Sequence, residues 1–568
     1  MLRLPSLPMS LPDFSRQMPL FGVQNLLGAA FEPDDRFRLF AAIVYPRLVA
    51  ARPALESCYC ANNGRPGVEP VLMLGISLLQ FMERVPDRQA MEMVKYHLGW
   101  RLALQLELDV AAPEASSLTY FRRRLLEHEQ ARLAFDTVLE GLRAAGLVSR
   151  KARQRLDSTH VLGAVAAMGS VECVRETLRL ALRELEGVAG LSRPEFWDRL
   201  WERYVENKLD YRLEEKALAE KHLAAGRDLA ALSAWLEGQG EAVREGKQAA
   251  LVKRVLGEQF EVVEGVLGKR KDRPSNAVRN PNDPAMEWST KGKTGTKGWV
   301  GSKAQIAETV EDGEREADEP TRSFLVAMET QAATGGEPAG MQQVLESEKA
   351  SGQEAPPELF VDAGYVSAEA LKDAAEEGRE LVGPALGSSH QPAGFRTEDF
   401  QVDVGQRRAV CPAGQANATC TRVEGREGEA ATYKFGWGGA CASCPLKGQC
   451  VGNKKDHRTL EVGEHHAYLQ DRRREQKTEA FQKKMNQRKA IEGTISELTR
   501  GYGLRRSRYR GLPKAALQNY LIGAACNAGR WIRRAAWRMR QAARAARAAA
   551  RAVGAALRPE APAAAIGG

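Results

Sequence analysis

The chain has 568 residues, 43% of them hydrophobic and 27% charged, so it is long enough for several domains and has a globular composition that excludes a largely disordered protein. Lys and Arg number 82 against 73 Asp and Glu, and this net charge of +9 mildly favours a polyanionic partner. No apolar run reaches the ~18–20 residues that span a bilayer, and prolines break the N-terminal segment, so we expect a cytoplasmic protein with no membrane partner.

Residues 1–150 are predicted to form a helical N-terminal domain. Segments such as VLMLGISLLQFMERV carry apolar residues at helical spacing. The helix predicted over SSLTYFRRRLLEHEQARLAF has a basic face of Arg122, Arg123 and Arg124. Periodicity leaves two interpretations open, a DNA-binding helix-turn-helix domain or a helical bundle whose arginines are merely solvated.

An α/β core is predicted to begin after residue 150. RQRLDSTHVLGAV predicts a first strand or strand pair within 151–170, and helical spacing then returns over 171–270. In 285–400 the segments KGWVGSKAQIAETV, RSFLVAMET and PELFVDAGY read as strands, SAEALKDAAEEG as a helix and RELVGPAL as another strand. Interleaved strands and helices of this kind are typical of an α/β fold.

The C-terminal part changes character three times. Residues 405–455 are rich in Gly and Cys, 465–500 predict one long charged helix, and 514–557 are helical again. In the Ala/Arg-rich tail, arginines at spacings of 4, 3 and 4 form one helical stripe; they are Arg540, Arg544, Arg547 and Arg551. The stripe fits two interpretations, a helix lying along DNA or a frayed terminal helix.

Two aspartates are predicted to lie at strand ends, Asp157 in RLDSTH and Asp362 in LFVDAGY. An acid after a buried strand is costly without a partner, and ligands of open α/β sheets gather at the carboxyl ends of strands. Carboxylates from different elements can hold paired divalent ions for phosphodiester chemistry. Each aspartate alone is equally explained as a turn or cap residue, so a third acid is needed.

A candidate third acid is Glu492, which shares a helix face with Arg488 four residues before it. Taken alone, this pair is explained as a surface ion pair. Glu497 is a weaker candidate in the same helix.

The ordered set of LDSTH, LFVDAGY and QRKAIEGTISELTRGYGLRRSRYRG strongly resembles the DDE transposases of bacterial insertion sequences. Many members carry a tyrosine, two residues, an arginine, three residues, the glutamate, six residues and a lysine. This chain keeps Arg488 and Glu492 at that spacing, but has Met485 at the tyrosine position and Thr499, beside Arg500, at the lysine position. The tyrosine and lysine are thought to contact DNA, so these departures concern DNA contacts more than metal binding.

The resemblance runs through most of residues 30–530 and is closest to a subgroup with a cysteine-rich insert before the glutamate. It implies an α/β, RNase H-like catalytic core with a helical N-terminal domain, a helical insertion and a small Cys-rich, zinc-ribbon-like insertion. The expected units are the N-terminal domain 1–150, the core segments 151–170 and 285–400, the helical insertion 171–270, the Cys-rich insertion 405–455, the catalytic helix and end of the core 465–530, and the tail 531–568.

The resemblance also implies a function. Asp157, Asp362 and Glu492 would be catalytic and would bind two Mg²⁺ or Mn²⁺ ions. The expected enzyme binds the terminal inverted repeats of an insertion sequence, cleaves DNA and transfers the strand to a double-stranded target, as a homodimer on DNA in the nucleoid. Two alternatives stay open: an inactive, transposase-derived DNA-binding protein, and a DDE-type endonuclease without strand transfer.

Five cysteines fall between Cys411 and Cys450, and the CxxC pair of Cys441 and Cys444 has the spacing of tetrahedral zinc ligands. A second pair from Cys411, Cys420 and Cys450 would complete the site, with His457 as a substitute; reduced, unligated thiols are the alternative. The resemblance favours a structural zinc ion on Cys411, Cys441, Cys444 and Cys450.

Two further basic segments are candidate DNA contacts, in addition to Arg488 and the helix that carries Arg122. The first is the lysine-rich KGKTGTKGW, and the second surrounds a tyrosine that could stack on a base. The alternative for both is a solvated charge run. Their residues are Lys291, Lys293, Lys297, Arg505, Arg506, Arg508, Tyr509 and Arg510.

Overall fold

The computed structural model of the chain describes residues 23–60, 67–207, 215–291, 297–387, 394–425, 430–451 and 455–556. Among these residues no helix is both long enough and apolar enough to cross a membrane.

The described residues begin with a layer in which nine α-helices are seen. Among them, Pro70–Glu83 is buried on every side through Phe81, as its almost continuous apolar sequence requires, and Pro70 stands at its first turn, where a missing N–H costs nothing. The helices are α1 Val23–Leu27, α2 Arg36–Leu39, α3 Tyr45–Ala50, α4 Arg52–Glu56, α5 Pro70–Glu83, α6 Asp87–Tyr96, α7 Leu98–Ala103, α8 Ala115–Glu127 and α9 Leu133–Ala144.

One strand, β1 (Gln154–Leu162), separates this layer from a second group of helices. Helices α10, α12 and α14 of that group pack on one another around a hydrophobic core of their own, because α10 carries apolar residues at helical spacing from Cys173 to Leu185. The hairpin β2–β3 closes the group. The elements are α10 Ser170–Glu186, α11 Trp197–Trp201, α12 Glu215–Glu237, α13 Glu241–Arg244, α14 Lys247–Gln259, β2 Phe260–Val263 and β3 Val266–Lys269.

The central sheet has six strands. β5 runs antiparallel to β1 on one side and to β4 and β6 on the other, while β7 and β8 extend the sheet parallel to β1, so the chain mixes antiparallel and parallel pairing in one sheet. The remaining elements of this part are β4 Glu287–Lys291, β5 Lys297–Thr309, β6 Leu325–Ala332, α15 Glu337–Ala350, β7 Glu358–Phe360, α16 Ala368–Glu376 and β8 Glu380–Val382.

The glycine- and cysteine-rich region, expected to be loop-like, contains short strands instead. A two-stranded and a three-stranded antiparallel sheet enclose a small core that includes Phe435, Trp437 and Leu460. Alternating side chains in TYKFG and TLEVG supply that core, a pattern that the Gly and Cys content obscured. The elements are β9 Gln401–Asp403, β10 Arg408–Val410, β11 Thr419–Val423, β12 Thr432–Gly436, α17 Lys447–Cys450 and β13 Thr459–Gly463.

The prediction of one long helix over 465–500 was wrong. The segment forms α18 His466–Glu475, α19 Glu479–Met485 and α20 Ala490–Gly501, with a 3₁₀ turn before α20. The first break has a local cause, because the Thr478 hydroxyl accepts the Phe481 N–H and caps a new helix. The chain ends in α21, Leu512–Ala556, which packs against α5, α9 and β6.

Candidate active site

The two aspartates lie side by side on neighbouring parallel strands. β1 and β7 pair with Gln154 opposite Leu359 and Arg155 opposite Phe360. Two residues further along both strands, this register brings Asp157 level with Asp362, just beyond the end of β7. The pairing of β1 with β7 therefore brings both carboxylates to one place on the sheet, although Asp157 lies inside β1 and not at the strand end where the sequence placed it.

The third acid reaches the same place through Arg488. One guanidinium nitrogen of Arg488 is 2.6 Å from Asp157 Oδ2 and 4.0 Å from Asp362 Oδ2, and the other is 3.7 Å from Glu492 Oε1. The side chains of Asp157 and Arg488 are 14% and 16% exposed, whereas that of Glu492 is 70% exposed. The three predicted acids thus converge on one arginine, which the sequence had assigned to DNA contact and which here binds carboxylates.

The electrostatics of Asp157 reflect this crowding. The pKa of Asp157 is raised to about 6, chiefly by burial and also by the carboxylates of Asp362 and Glu337, whereas Arg488 and the Ser158 N–H act to lower it. The Ser158 N–H donates to Asp157 Oδ1 over 2.7 Å, and the Gly364 N–H donates to Asp362 Oδ1 over 2.8 Å. Two backbone donors therefore fix the orientation of the two aspartates.

Glu337 is a functional-site residue that the sequence analysis missed. Its Oε1 accepts from the Ser158 hydroxyl at 3.2 Å and from Lys303 Nζ at 3.1 Å, and its Oε2 accepts from Gln305 Nε2 at 3.0 Å. Its position in the sequence could have indicated it. Glu337 lies in the first turn of α15, just after a core strand, where the helix dipole favours a negative charge.

Helix α20, which carries Glu492, is anchored to the sheet by a buried network. Glu308 on β5 is fully buried and accepts hydrogen bonds from Arg155 at 2.6 Å, Thr494 at 2.7 Å and Arg530 at 3.0 Å. Arg155 also donates to the Gln487 carbonyl at 3.1 Å, one residue before Arg488. A single buried carboxylate thereby connects the strand of Asp157 to the helix of Glu492.

Glu497, the weaker candidate for the third acid, faces away from the aspartates. It accepts hydrogen bonds from Arg530 at 2.8 and 3.0 Å and joins α20 to α21. Of the two residues that depart from the family pattern, Met485 packs against the small apolar cluster of Phe360, Val382 and Phe481, and Thr499 bonds only to carbonyls of its own helix.

Within the described residues, no three or more His, Cys, Asp or Glu side chains lie close enough together to hold one metal ion. The donor set at the aspartates still fits a divalent cation chemically. The hard carboxylate oxygens of Asp157 and Asp362 both lie near one cationic group, the Arg488 guanidinium, which shows that cations are favoured at this position.

The cysteines divide into a group of four and a separate fifth. Cys411, Cys441, Cys444 and Cys450 line one small cavity beside Trp437 and Arg458. Burial raises the pKa of the Cys450 thiol, and the other three thiols of the group raise it further, whereas no such effect connects them to Cys420. His457 is exposed and does not line the cavity.

Several predicted DNA contacts are placed differently from the expectation. Arg122 is buried, where it donates to Asp87 at 2.7 and 2.8 Å and lies over the Tyr509 ring. The prediction that Arg122 contacts DNA was therefore wrong, because its charge is needed to pair a half-buried acid. Tyr509 is largely covered by the same contact and is not presented for stacking on a base.

The remaining basic residues differ in exposure. Arg505 turns inward and bonds to His160, while Arg508 donates to the Val85 carbonyl at 2.9 Å. Arg123, Arg506 and Arg510 are exposed, and Arg508 is exposed as well although its guanidinium is held by that hydrogen bond. Arg124 lies over the Tyr59 ring. Lys293 and the side chains of Lys291 and Lys297 lie outside the described residues.

Two family matches accompany this geometry. Residues 410–532 match a transposase DDE domain, and residues 26–124 match a transposase domain (DUF772). The first match contains Glu492 but neither aspartate. Neither the comparison with curated proteins nor the comparison with solved structures gives a match.

Both matched models describe transposase domains. More particularly, they support a bacterial insertion-sequence DDE transposase, which confirms the resemblance found in the sequence. A DDE domain implies an RNase H-like core and an enzyme that cleaves and transfers DNA, generally with divalent metal ions, and the central mixed sheet is compatible with such a core.

Proposed function

We propose that this protein binds the terminal inverted repeats of an insertion sequence, cleaves the DNA at the element's ends and joins the freed strands to target DNA. The observation that carries the proposal is the convergence of Asp157, Asp362 and Glu492 on Arg488 at one edge of the central sheet.

Asp157, Asp362 and Glu492 are the residues that would hold Mg²⁺ or Mn²⁺, as a pair of ions. Such ions, when bound, activate a water or hydroxyl at neutral pH and stabilise the leaving oxygen. Arg488 balances the charge of Asp157, and backbone N–H groups fix the orientation of both aspartates.

Two displacements at phosphorus would follow. In the first, the oxygen of a water attacks the scissile phosphorus, the bond to the 3′ oxygen breaks, and that oxygen leaves as a 3′-hydroxyl after taking up a proton. In the second, this 3′-hydroxyl loses its proton as it attacks a phosphorus of the target, and the target's own 3′ oxygen leaves. Because two element ends must be joined, a homodimer on DNA is the expected assembly, acting in the nucleoid.

Arg123, Arg506 and Arg510 are the best supported of the proposed DNA contacts, because their side chains are exposed. Arg506 and Arg510 lie in the loop between α20 and α21, directly after the helix that carries Glu492. A DNA backbone at the acids would pass near this loop, where exposed guanidinium groups can neutralise phosphates.

The first test is cleavage of a labelled duplex that carries the element's own terminal repeat, with Mg²⁺ or Mn²⁺. Wild type is compared with Asp157→Ala, Asp362→Ala and Glu492→Ala, and with Glu479→Ala, an exposed acid of neighbouring α19, as the control. We expect each change among the three acids to abolish cleavage with DNA binding retained, and the control to cleave normally. Cleavage by Glu492→Ala would remove that residue from the proposed set.

One observation favours a second function, a transposase-derived protein that binds DNA without cutting it. Arg488 already pairs with Asp157, and the described acids are not spaced to hold one ion. Wild type that binds the terminal repeat but never cuts it would establish this alternative. Cleavage without joining to a target duplex would instead indicate an endonuclease that lacks strand transfer.

We also propose that Cys411, Cys441, Cys444 and Cys450 hold one structural zinc ion that orders the small β region around them. Zinc content is measured by elemental analysis of wild type, Cys444→Ser and Cys420→Ser. We expect one zinc per chain in wild type and in Cys420→Ser, and its loss in Cys444→Ser. Equal zinc content in all three proteins would contradict the four-thiol site.

A further inference from the structure

The C-terminal helix α21 leaves the body of the protein partway along its length. Its first part is buried against the N-terminal layer and the sheet, and Ala536 is its last buried residue. From Ala542 through Val553 every residue is exposed. This projecting segment is about 18 Å long at the rise of an α-helix. Because it is mostly alanine, the best helix former, it can stay helical without packing on a neighbour.

The charge of α21 has one sign only. The sequence of Leu512–Ala556 contains eight arginines and one lysine but no aspartate or glutamate. The buried half uses its arginines internally, since Arg530 and Arg533 pair with Glu497, and Arg534 pairs with Glu319. Both acids belong to other parts of the chain, so the arginines of the buried half attach α21 to the rest of the protein.

The arginines of the projecting half behave differently. Arg540 still pairs with Asp34, at the point where the helix passes the N-terminal layer. Beyond it, Arg544, Arg547 and Arg551 lie on one face, and among the described residues no acid lies within ion-pair distance of them. From Arg540 to Arg551 the stripe extends about 16 Å along the helix axis. Over that distance a DNA duplex presents one negative charge per ~1.7 Å.

The composition of the segment argues against other partners. A helix that binds a membrane surface carries large apolar residues opposite its basic face, but this segment offers mainly alanine there. A second copy of the same helix would bring like charges together, which disfavours pairing. The phosphate backbone of a nucleic acid can be bound by a cationic stripe on a narrow, exposed helix. The small alanine side chains keep this helix narrow.

We propose that the projecting half of α21 is a sequence-independent DNA-binding arm, in which Arg544, Arg547 and Arg551 contact the phosphate backbone of a duplex. The proposal rests on the DNA-binding part of the proposed function and adds a surface to it. Its role is to add affinity for flanking or target DNA, because a stripe of arginines spaced for phosphates carries no pattern for reading bases.

The test measures binding of the full chain to a short fluorescein-labelled duplex of arbitrary sequence, by anisotropy over a series of salt concentrations. The arm variant combines Arg544→Gln, Arg547→Gln and Arg551→Gln, because glutamine removes charge but keeps helix propensity. The matched control combines Lys216→Gln, Lys221→Gln and Arg227→Gln, three exposed cations of α12 in the second helical group, and changes the net charge equally. A lysine version of the arm variant tests rescue by charge.

In wild type we expect log affinity to fall with log salt. In the arm variant we expect the steepness of that fall to drop by roughly 2.7, because each of the three phosphates that the arm no longer neutralises accounts for about 0.9 of the slope. Affinity at low salt should fall at least about tenfold. The control should bind as wild type does, and the lysine version should recover the salt dependence.

Equal binding by wild type and the arm variant would overturn the arm but leave the proposed function standing. Equal reductions in the arm variant and the control would also overturn it, because net charge alone would then explain the effect. Wild type that does not bind this arbitrary duplex would overturn the arm but not the proposed function, which is tested separately on the element's own terminal repeat. Tighter binding of wild type to phosphatidylserine vesicles than to the duplex would overturn the assignment of DNA as the partner.

Discussion

At the scale of single residues, the candidate site depends on the shape of one guanidinium group. Arg488 presents two nitrogens in a rigid fork, one toward Asp157 and Asp362 and the other toward Glu492. A lysine at this position would supply a single point charge and could not contact the aspartates and Glu492 through two separate nitrogens. The spacing of Arg488 and Glu492, about one helical turn, therefore lets one guanidinium lie near Glu492 as well as near the aspartates.

Glu348 on α15 gives a prediction for the dependence of stability on pH. Its side chain is 2% exposed, and neither carboxyl oxygen has a hydrogen-bond partner among the described residues. Burial raises the pKa of Glu348 from 4.5 to about 8, opposed by the charges of three nearby arginines. Between these pH values the folded protein keeps a proton that the unfolded chain has lost, so the free energy of unfolding falls as pH rises through this window.

Glu348→Gln should therefore raise the free energy of unfolding at pH 8 by about 1–3 kcal/mol and change it little at pH 5. Calorimetric melting of both proteins at the two pH values checks this. Glu346→Gln, an exposed acid of the same helix, is the control and should melt as wild type does at both. A uniform shift of Glu348→Gln at both pH values would contradict the titration.

The residues of the site differ in how far the sequence could predict them. Asp157 and Asp362 were predictable because an acid beside a buried strand is conspicuous, and Glu492 because its spacing matches a known family. Glu337 was not, because an acid in the first turn of a helix is common and only the tertiary fold brings it to Ser158. The prediction that Arg122 contacts DNA failed because a run of arginines on a helix does not show which of them points into the core.

At the scale of elements, the placement of helix α20 decides whether its acid can reach the aspartates. Glu492 is exposed and has no tight contact of its own, so its position follows from the buried side of the helix. On that side the Thr494 hydroxyl donates to Glu308 at 2.7 Å and accepts from Arg530 at 2.7 Å. The contact is local to the turn that carries Glu492.

Thr494→Val keeps the shape of the side chain and removes its hydroxyl, so it should lower the free energy of unfolding by about 1–3 kcal/mol. Because the helix then loses its fixed position, cleavage of the terminal repeat should fall more than duplex binding. Thr499→Val is the matched control, since its hydroxyl bonds only to carbonyls of its own helix. If Thr494→Val is destabilised but cleaves at the wild-type rate, the network serves stability alone.

The elements were predicted with uneven success for physical reasons. The strands of the core and helix α16 were found because apolar runs of strand length and a capped helix are local signals. The long helix over 465–500 was wrong because charged, helix-forming residues continue through its breaks. The strands around the cysteines were missed because their core is small and shared with loops.

At the scale of the whole molecule, the N-terminal helices and the central sheet share one hydrophobic core. The same cluster contains Phe135 of α9, Met328 of β6 and the buried half of α21. The second helical group has a separate core. Tertiary packing of this kind has no local sequence signature, which is why residues 1–150 appeared from the sequence to be a separate unit.

Gly523 of α21 lies where these three parts meet. A Cβ at this position would be 2.9 Å from the Phe135 ring and 3.1 Å from Met328 Sδ, and both side chains are fully buried. The absence of a side chain therefore lets the helix approach α9 and β6 together. Gly523→Ala should lower the free energy of unfolding by about 1–2 kcal/mol, because overpacking outweighs the better helix propensity of alanine.

Gly493→Ala in α20 is the matched control, because nothing lies within 4 Å of the added methyl group. There the same substitution should raise the free energy of unfolding by about 0.5–1 kcal/mol. Differential scanning calorimetry distinguishes the signs and also tests the shared core. If the N-terminal layer, the sheet and α21 unfold together, Gly523→Ala shifts one transition that contains them all. A separate transition of the N-terminal helices that the substitution leaves unchanged would contradict this. These helices would then be a domain that unfolds independently of the central sheet.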